Sequence, residues 1–237
     1  MDKNITKARA YFYEFLAYPL FFHTSDEKFA RWREQLSYLA QNPLSEQSAE
    51  AFANLEEFSF KELVNEQNDV LFGFTNIPLS ASFYEEGRDN GAARLRVIHC
   101  LNLSPYRRDK ELCKDSEDYV GFIFLAMATF LNDEFNGEKN ISDKLFSETL
   151  NLFVDEFGSL LLAHKNANFF RSYAIILKDF IELERAVLSV EAPAKPQGDS
   201  VAMAALKKEP FQSKMPTIKT KLHWEEFSPV ISHEFKD

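Results

Sequence analysis

The chain has 237 residues with 27 basic and 37 acidic side chains, and its formal net charge is -10. A charge this negative disfavours nucleic acid and anionic membranes as partners and favours a basic partner. Hydrophobic residues make up 45% of the chain, which indicates a folded protein with a sizeable core rather than a disordered one.

The sequence shows no targeting signal and no membrane anchor. The start, MDKNITKARAYFYEF, lacks the long apolar core of a secretory signal. No apolar run reaches the length of a transmembrane helix. Two cysteines, Cys100 and Cys113, are too few for a disulfide framework. We therefore expect a cytoplasmic chain with reduced thiols and no stable membrane insertion.

The N-terminal half is predicted to be helical. Residues 5–16 carry apolar side chains at helical spacing, and Pro19 ends this helix because the residue before a proline avoids the helical region. Ser25 or Asp26 is predicted to cap a second helix that runs to about residue 40. Residues 46–63 form a third amphipathic stretch, as one helix or as two short ones. Residues 92–101 are predicted to be helical again.

The most apolar stretch of the chain is residues 115–131, which read DSEDYVGFIFLAMATFL. It opens with four polar or acidic residues and is then apolar on every side. Its length exceeds that of a usual strand, and its leucine, alanine and methionine residues favour a helix. A helix that is apolar all round must be covered by other elements. We expect a helix from Glu117 to Leu131 at the centre of a helical bundle.

The C-terminal half continues with two long helices, one starting at Ser142 and one at Asn166 or Asn168. Sustained period-two alternation is missing throughout, so the predicted fold class is all-α. Residues 1–190 are expected to form a single helical-bundle domain around the central buried helix. Residues 191–237 hold five of the nine prolines and are electrically neutral, so they are predicted to be a linker and an extended C-terminal tail.

The sequence offers no recognisable catalytic or metal-binding motif. None of the five histidines has a glutamate three residues before it, as a di-iron bundle site would require. Cys-x-x-Cys, His-Glu-x-x-His, Walker and Gly-x-Gly-x-x-Gly patterns do not occur. We therefore predict no enzyme activity, no metal and no cofactor, although a small-molecule or nucleotide-binding helical enzyme is the alternative from another class.

Several short stretches, in their order along the chain, resemble the TorD/DmsD/NarJ family of redox-enzyme maturation chaperones. Residues 11–20 are an aromatic helix with a proline break, and residues 68–88 (NDVLFGFTNIPLSASFYEEGR) are similar to the family's Leu-Phe-x-Gly, Pro and Ser-x-Tyr run. DSEDYVGFIFLAM is similar to its Glu-Pro-Glu-Asp-His helix start, with Ser116 in place of proline and Tyr119 in place of histidine. Residues 168–170 stand where the family has Pro-Phe-Tyr.

The resemblance implies a function and a partner. Family members bind the twin-arginine signal peptide of a molybdopterin oxidoreductase precursor and delay export until the cofactor is inserted. The alternative is a NarJ-type assembly chaperone, whose client is a non-exported molybdoenzyme subunit without such a signal. Neither function determines the oligomeric state, so both a monomer and a dimer are compatible with the sequence.

A twin-arginine peptide needs carboxylates for its guanidiniums and an apolar groove for the segment that follows. Asp118, with Glu117 and Asp115 nearby, is the predicted guanidinium partner, and aromatic side chains are predicted to line the adjoining surface. The full predicted peptide-binding set is Asp118, Glu117, Asp115, Tyr119, Tyr84, Phe83, Phe72, Ser82 and Arg88.

Simpler roles compete for some of these residues. Asp115 or Ser116 could cap the central helix, and Glu117 and Asp118 could complement its dipole. Phe72 could belong to the core. Arg88 is expected to pair internally, with Glu85 or Asp118.

Two roles are open for the tail. Trp224, Phe227 and Phe235 could pack on an apolar face and add stability. Alternatively, the apolar stretch 201–206 and the following Lys207-Lys208 pair could fold back over the peptide groove and compete with the client.

Overall fold

The computed structural model describes residues 3–23, 26–73, 76–137, 140–194 and 197–207. No β-strand occurs in these ranges, where the ordered elements are helices, so the all-α prediction is confirmed. The helices are α1 (Lys3–Ala17), α2 (Glu27–Ala40), α3 (Glu46–Glu56), α4 (Phe60–Val70), α5 (Ala81–Glu86), α6 (Ala92–Asn102), α7 (Val120–Phe135), α8 (Ser142–Leu145), α9 (Asn151–Ala163), α10 (Phe169–Leu188) and α11 (Val201–Leu206).

Helix α7 is the central helix that the apolar run predicts, and it packs along α1 in the most extensive helix–helix contact of the described chain. From Val120 to Leu131, only Phe122, Leu125 and Thr129 escape full burial. These three lie three and four residues apart, so they form one narrow strip on the helix surface. The rest of the circumference is covered by other helices.

The start of α7 differs from the prediction. The helix begins at Val120, with Tyr119 as its N-cap residue and no side-chain cap. The amide of Val120 donates to the carbonyl oxygen of Leu79 at 2.8 Å instead. The expected cap by Asp115 or Ser116 is therefore wrong, because a neighbouring segment of the chain satisfies the first amide of the helix.

Helix α1 ends at Ala17, and the missing N–H of Pro19 in the following turn leaves the carbonyl oxygen of Phe15 without its usual helical partner. The indole N–H of Trp32, on α2, donates to that oxygen at 3.1 Å. Other side chains cover the neighbouring carbonyls: Tyr173 donates to Leu16, Tyr119 to Leu20, and the Gln67 amide to both Pro19 and Phe21. Four separate helical regions thus converge on this one turn.

A buried ion pair joins α1 to α10. The guanidinium of Arg9 donates to the carboxylate of Glu184 at 2.6 and 3.1 Å, and the hydroxyl of Tyr13 donates to the same carboxylate at 2.9 Å. Burial raises the pKa of Glu184, although the contact with Arg9 opposes this shift. A buried carboxylate with three donors is costly to leave unpaired, so this cluster fixes the relative position of the two helices.

A second buried carboxylate caps α10 from a distant part of the chain. Glu66, on α4, accepts the backbone N–H groups of Asn168, Phe169 and Phe170 at 2.8–2.9 Å. These amides form the first turn of α10, where they have no partner within the helix. The negative charge also complements the positive end of the helix dipole.

Other helices refine the predicted boundaries. The stretch 46–63 is two helices, α3 and α4, and each starts with a capping box, at Ser45 and Ser59. The long helix expected from Ser142 is interrupted by a π-helical segment, Phe146–Leu150, between α8 and α9. Asp26 is the N-cap residue of α2, but its side chain makes no capping hydrogen bond, and Ser25 lies outside the described residues.

The first compact unit of the chain runs from Met1 to Leu206 and so includes α11, beyond the boundary predicted at residue 190. The second unit, Lys207–Asp237, contains Trp224, Phe227 and Phe235, which lie outside the described residues. Among the described residues, no helix is both long enough and apolar enough to span a bilayer.

The position of Phe124 at the centre of α7 allows a direct test of the core. Its side chain has no exposed surface, so Phe124→Ala should lower the free energy of unfolding by about 3–5 kcal/mol. Leu125→Ala, one residue further along the same helix, should cost much less because Leu125 is 39% exposed. Urea denaturation followed by circular dichroism measures both, and equal losses would contradict the assigned orientation of α7.

Candidate functional site

The segment before α5 runs antiparallel to the segment before α7. Ser80 pairs with Tyr119 in an isolated bridge, and the amide of Ala81 donates to the carbonyl oxygen of Asp118 at 2.8 Å. Together with the bond from Val120 to Leu79, these contacts bring two sequence motifs side by side. The predicted Ser-x-Tyr run and the acidic helix start therefore meet in space.

Asp118 lies at the centre of this junction, where three serine hydroxyls donate to its carboxylate. Ser80 donates to Oδ2 at 2.7 Å, Ser82 donates to the same oxygen, and Ser116 donates to Oδ1. We call this arrangement the serine latch. Burial opposes ionisation of Asp118, but the three hydroxyls outweigh it and hold the pKa of the carboxyl below its usual value.

The latch makes Asp118 and Ser82 inaccessible, since neither side chain has any exposed surface. In this structure the Asp118 carboxylate cannot contact a peptide guanidinium directly. Its place in the molecule is to fix the segment 76–82 against the start of α7. We therefore assign it a positioning role in the proposal below.

Glu117 is also engaged within the protein. Its carboxylate accepts from Arg94 at 2.7 Å and from Arg108 at 2.9 Å. Burial alone would raise the pKa of Glu117, but the two guanidiniums hold it below its usual value. Arg108 also donates to the carbonyl oxygens of Cys113 and Asp115 at 2.9 and 2.6 Å. Glu117 thus anchors the segment 103–119, between α6 and α7, through Arg108.

A polar cleft of about 590 Å³ opens beside the serine latch. Its three cations have acidic partners: Arg94 and Arg108 pair with Glu117, and Lys114 pairs with Glu111. The cleft also holds two exposed carboxylates, which form no ion pair with any described residue. The lining residues are Asn76, Pro78, Leu79, Ser80, Phe83, Asp89, Asn90, Arg94, Arg108, Lys114, Asp115, Ser116, Tyr119 and Leu206, of which Asp89 and Asp115 are the exposed carboxylates.

An apolar groove of about 510 Å³ lies between the end of α1, α2, α7 and the segment 103–119. Leu112 is 87% exposed and Phe22 is 58% exposed at its margin. Phe122 and Leu125 come from the uncovered strip of α7. The lining residues are Glu14, Tyr18, Phe21, Phe22, His23, Lys28, Arg31, Trp32, Gln35, Leu112, Cys113, Phe122 and Leu125.

The two clefts adjoin each other along a shared wall. Tyr119 lines the polar cleft and Phe21 lines the apolar groove, with ring centroids 5.3 Å apart. The segment 112–116 contributes residues to both. Burial raises the pKa of Tyr119, so its hydroxyl stays protonated and donates to Leu20. A Cβ on Gly121 would lie 2.9 Å from ring carbons of both Phe21 and Tyr119, so any other residue here would force a ring of this wall to move.

The remaining predicted site residues are dispersed. Phe83 is half-buried and lines the polar cleft. Phe72 is 43% exposed, and its ring meets that of Phe22 edge-on with the ring centroids 6.3 Å apart. It therefore lies beside the apolar groove rather than in the core. Tyr84 belongs to the core, where it stacks on Phe153 at 5.4 Å and its hydroxyl donates to the carbonyl oxygen of Pro78.

Arg88 does not form either of the pairs expected for it. It contacts Glu86 at 2.5 Å and is 68% exposed, while Arg96 takes Glu85. Asp118 is enclosed by its serines. The pairing expected for Arg88 is therefore wrong. The reason is that Arg96, eight residues further along the chain, takes Glu85.

Sequence reasoning also missed residues that shape the clefts. Arg94 and Arg108 read as ordinary surface charges, and their shared partner becomes visible only in the fold. Leu112 carried a weak signal, since it is a lone leucine in the charged run 107–118. Among the described residues, no group of three or more histidine, cysteine, aspartate or glutamate side chains is arranged to hold a metal ion.

The sequence matches the family described as nitrate reductase delta subunit over residues 29–160, more than half of the chain. The chain belongs to this family. The family lies within the TorD/NarJ group of chaperones, so the resemblance noted in the sequence is confirmed. Members of this family are chaperones for the maturation of molybdoenzymes. No curated protein matches the chain. The matched range includes the serine latch, the segment 103–119 and α7.

Replacing Asp118 tests the latch. Asp118→Asn substitutes an NH₂ group for one accepting oxygen, so at least one buried serine hydroxyl loses its acceptor. We expect the free energy of unfolding at pH 7 to fall by about 1–3 kcal/mol. The exposed Asp115 is a matched control, and Asp115→Asn should change stability by no more than about 0.5 kcal/mol. Equal stability of wild type and Asp118→Asn would show that the latch contributes nothing.

The depressed pKa of Asp118 predicts that the stability difference between wild type and Asp118→Asn depends on pH. Because the folded state holds the carboxyl pKa below its unfolded value of about 3.9, its stabilising contribution is complete well above pH 4. It is lost as the pH falls through the folded pKa. The stability difference between wild type and Asp118→Asn should therefore shrink below about pH 4, as measured by denaturation at a series of pH values. A difference that grows on acidification would contradict the sign of the shift.

Proposed function

We propose that the protein binds the twin-arginine signal peptide of a molybdenum-containing oxidoreductase and delays its export until the cofactor is inserted. The observation that carries the proposal is the pair of adjoining clefts. One cleft offers unpaired carboxylates and the other offers apolar and aromatic side chains. A twin-arginine peptide presents guanidiniums followed by an apolar segment, so each part of the peptide has a matching surface.

In this proposal, the guanidiniums contact Asp89 and Asp115 in the polar cleft. Guanidinium forms two parallel hydrogen bonds with a carboxylate, which lysine cannot do. The net charge of -10 adds a longer-range attraction for a basic peptide. Glu117 and Asp118 act indirectly, because they hold the segments 103–119 and 76–82 that form the cleft.

The apolar part of the peptide occupies the groove beside Leu112, Phe122 and Leu125. Exposed leucines in a groove lose contact with water when a partner covers them, and this burial favours binding by roughly 25 cal/mol per Å². Tyr119 and Phe21 form the wall at which the peptide passes from one cleft to the other. The family's recognition of its client would then depend on both clefts together.

Charge substitutions test the polar half. Asp89→Asn together with Asp115→Asn should weaken binding of a synthetic peptide, carrying two arginines followed by an alanine–leucine segment, by about 5–30-fold, if each ion pair contributes about 0.5–1 kcal/mol. Asp69→Asn is the control, since Asp69 is exposed and lines neither cleft. Fluorescence anisotropy measures affinity, which should also fall with added salt and with an arginine-to-lysine peptide.

Leucine substitutions test the apolar half. Leu112→Ser should weaken binding of the same peptide without lowering the melting temperature, because Leu112 is 87% exposed. Leu95→Ser, at a residue that is 68% exposed and lines neither cleft, should leave affinity unchanged. If the peptide does not bind the wild-type protein at all, the proposal is wrong. If both leucine variants bind equally, the groove is not the apolar subsite.

The family match favours a second candidate, a NarJ-type assembly chaperone for a non-exported molybdoenzyme subunit. Its client would offer an apolar N-terminal segment without paired arginines. Such a peptide should depend on Leu112 but not on Asp89 or Asp115. The two sets of variants therefore separate the candidates in one series of titrations.

A further inference from the structure

Helix α11 lies beyond the part of the chain that matches the family, yet it belongs to the same compact unit as the clefts. It packs against α5. Its last residue, Leu206, lines the polar cleft. A segment from the C-terminal region thus already occupies one side of the proposed client site.

The contact between α11 and α5 depends on small residues. Gly87 follows α5 with a φ of +67°, a left-handed conformation that favours glycine. A Cβ at this position would lie 3.1 Å from the Cβ of Ala205 and 3.7 Å from Cγ1 of Val201. The close approach of backbone to helix explains why the sequence of α11, VAMAAL, is rich in alanine.

The attachment of α11 is limited. Ala202 is its single fully buried residue, while Val201 and Leu206 are 48% and 45% exposed. Its start is held by Ser200, whose hydroxyl donates to the Glu156 carboxylate and accepts the amide of Met203. Isolated helices shorter than about 12–15 residues are marginal in water, so α11 depends on this docking for its structure.

We infer that α11 is an intramolecular ligand of the client site, and that the client peptide displaces it on binding. Its position fits, since Leu206 occupies one side of the polar cleft that the guanidiniums of the proposed client would enter. The segment 191–200 tethers it, so its effective concentration at α5 is high although its contact area is small. The inference rests on the proposed function and adds a competitor to it.

Two substitutions in α11 provide a matched test in the full-length chain. Ala202→Glu places a charge in a position without exposed surface and should release the helix. Ala204→Glu adds the same charge at an exposed position and should leave it docked. If α11 leaves the site free in about a tenth to a third of wild-type molecules, release should tighten binding of the synthetic arginine peptide by about 3–10-fold. Ala204→Glu should bind like wild type.

Hydrogen exchange gives a second readout in the unaltered protein. Saturation with the arginine peptide should accelerate exchange of the α11 amides, because the displaced helix loses its support. Wild-type affinity in Ala202→Glu, or α11 exchange that peptide does not change, would overturn the inference and leave the proposed function intact. Failure of wild type and both variants to bind any peptide would instead contradict the proposed function.

Discussion

The end of α1 is the constraint on which the rest of the structure depends. Pro19 stops the helix and leaves carbonyl oxygens that water cannot reach, and a buried carbonyl without a partner is costly. The chain meets this demand with side chains from α2, α4, α10 and the start of α7, of which the bond from Trp32 to Phe15 is one. Each of these regions is therefore placed by a polar requirement as well as by apolar packing.

The same constraint reaches the clefts, because Tyr119 is one of those donors. Its hydroxyl donates to Leu20 in the turn after α1, while its ring forms the wall between the polar cleft and the apolar groove. The serine latch around Asp118 fixes the adjoining segment from the other side. The proposed binding surfaces thus lie on connecting segments whose backbone is held by buried hydrogen bonds. This is the kind of support that a recognition site needs if its geometry is to be defined before the ligand arrives.

Periodicity and turn residues were enough to predict the fold class and the central helix, since both depend on local patterns. They could not predict partners that are distant in sequence. Arg9 and Glu184 are separated by 175 positions, and Ser82 and Asp118 by 36. For this reason Glu117 and Asp118 were predicted to be available to a peptide guanidinium, whereas the fold encloses Asp118 in hydroxyls and pairs Glu117 with arginines. Asp115 belongs to the predicted set and lies exposed in the polar cleft, whereas Leu112, in the apolar groove, was missed.

Gly121 limits which substitutions the wall between the two clefts can accept. Every substitution there adds at least a Cβ, and the atoms in its way are the rings of Phe21 and Tyr119. A substitution at Gly121 would disturb both clefts at once, whereas a substitution at the exposed Leu112 or Asp115 would alter one cleft alone. If the two clefts bind the client as proposed, its recognition can change through substitutions at these exposed margins but not through Gly121.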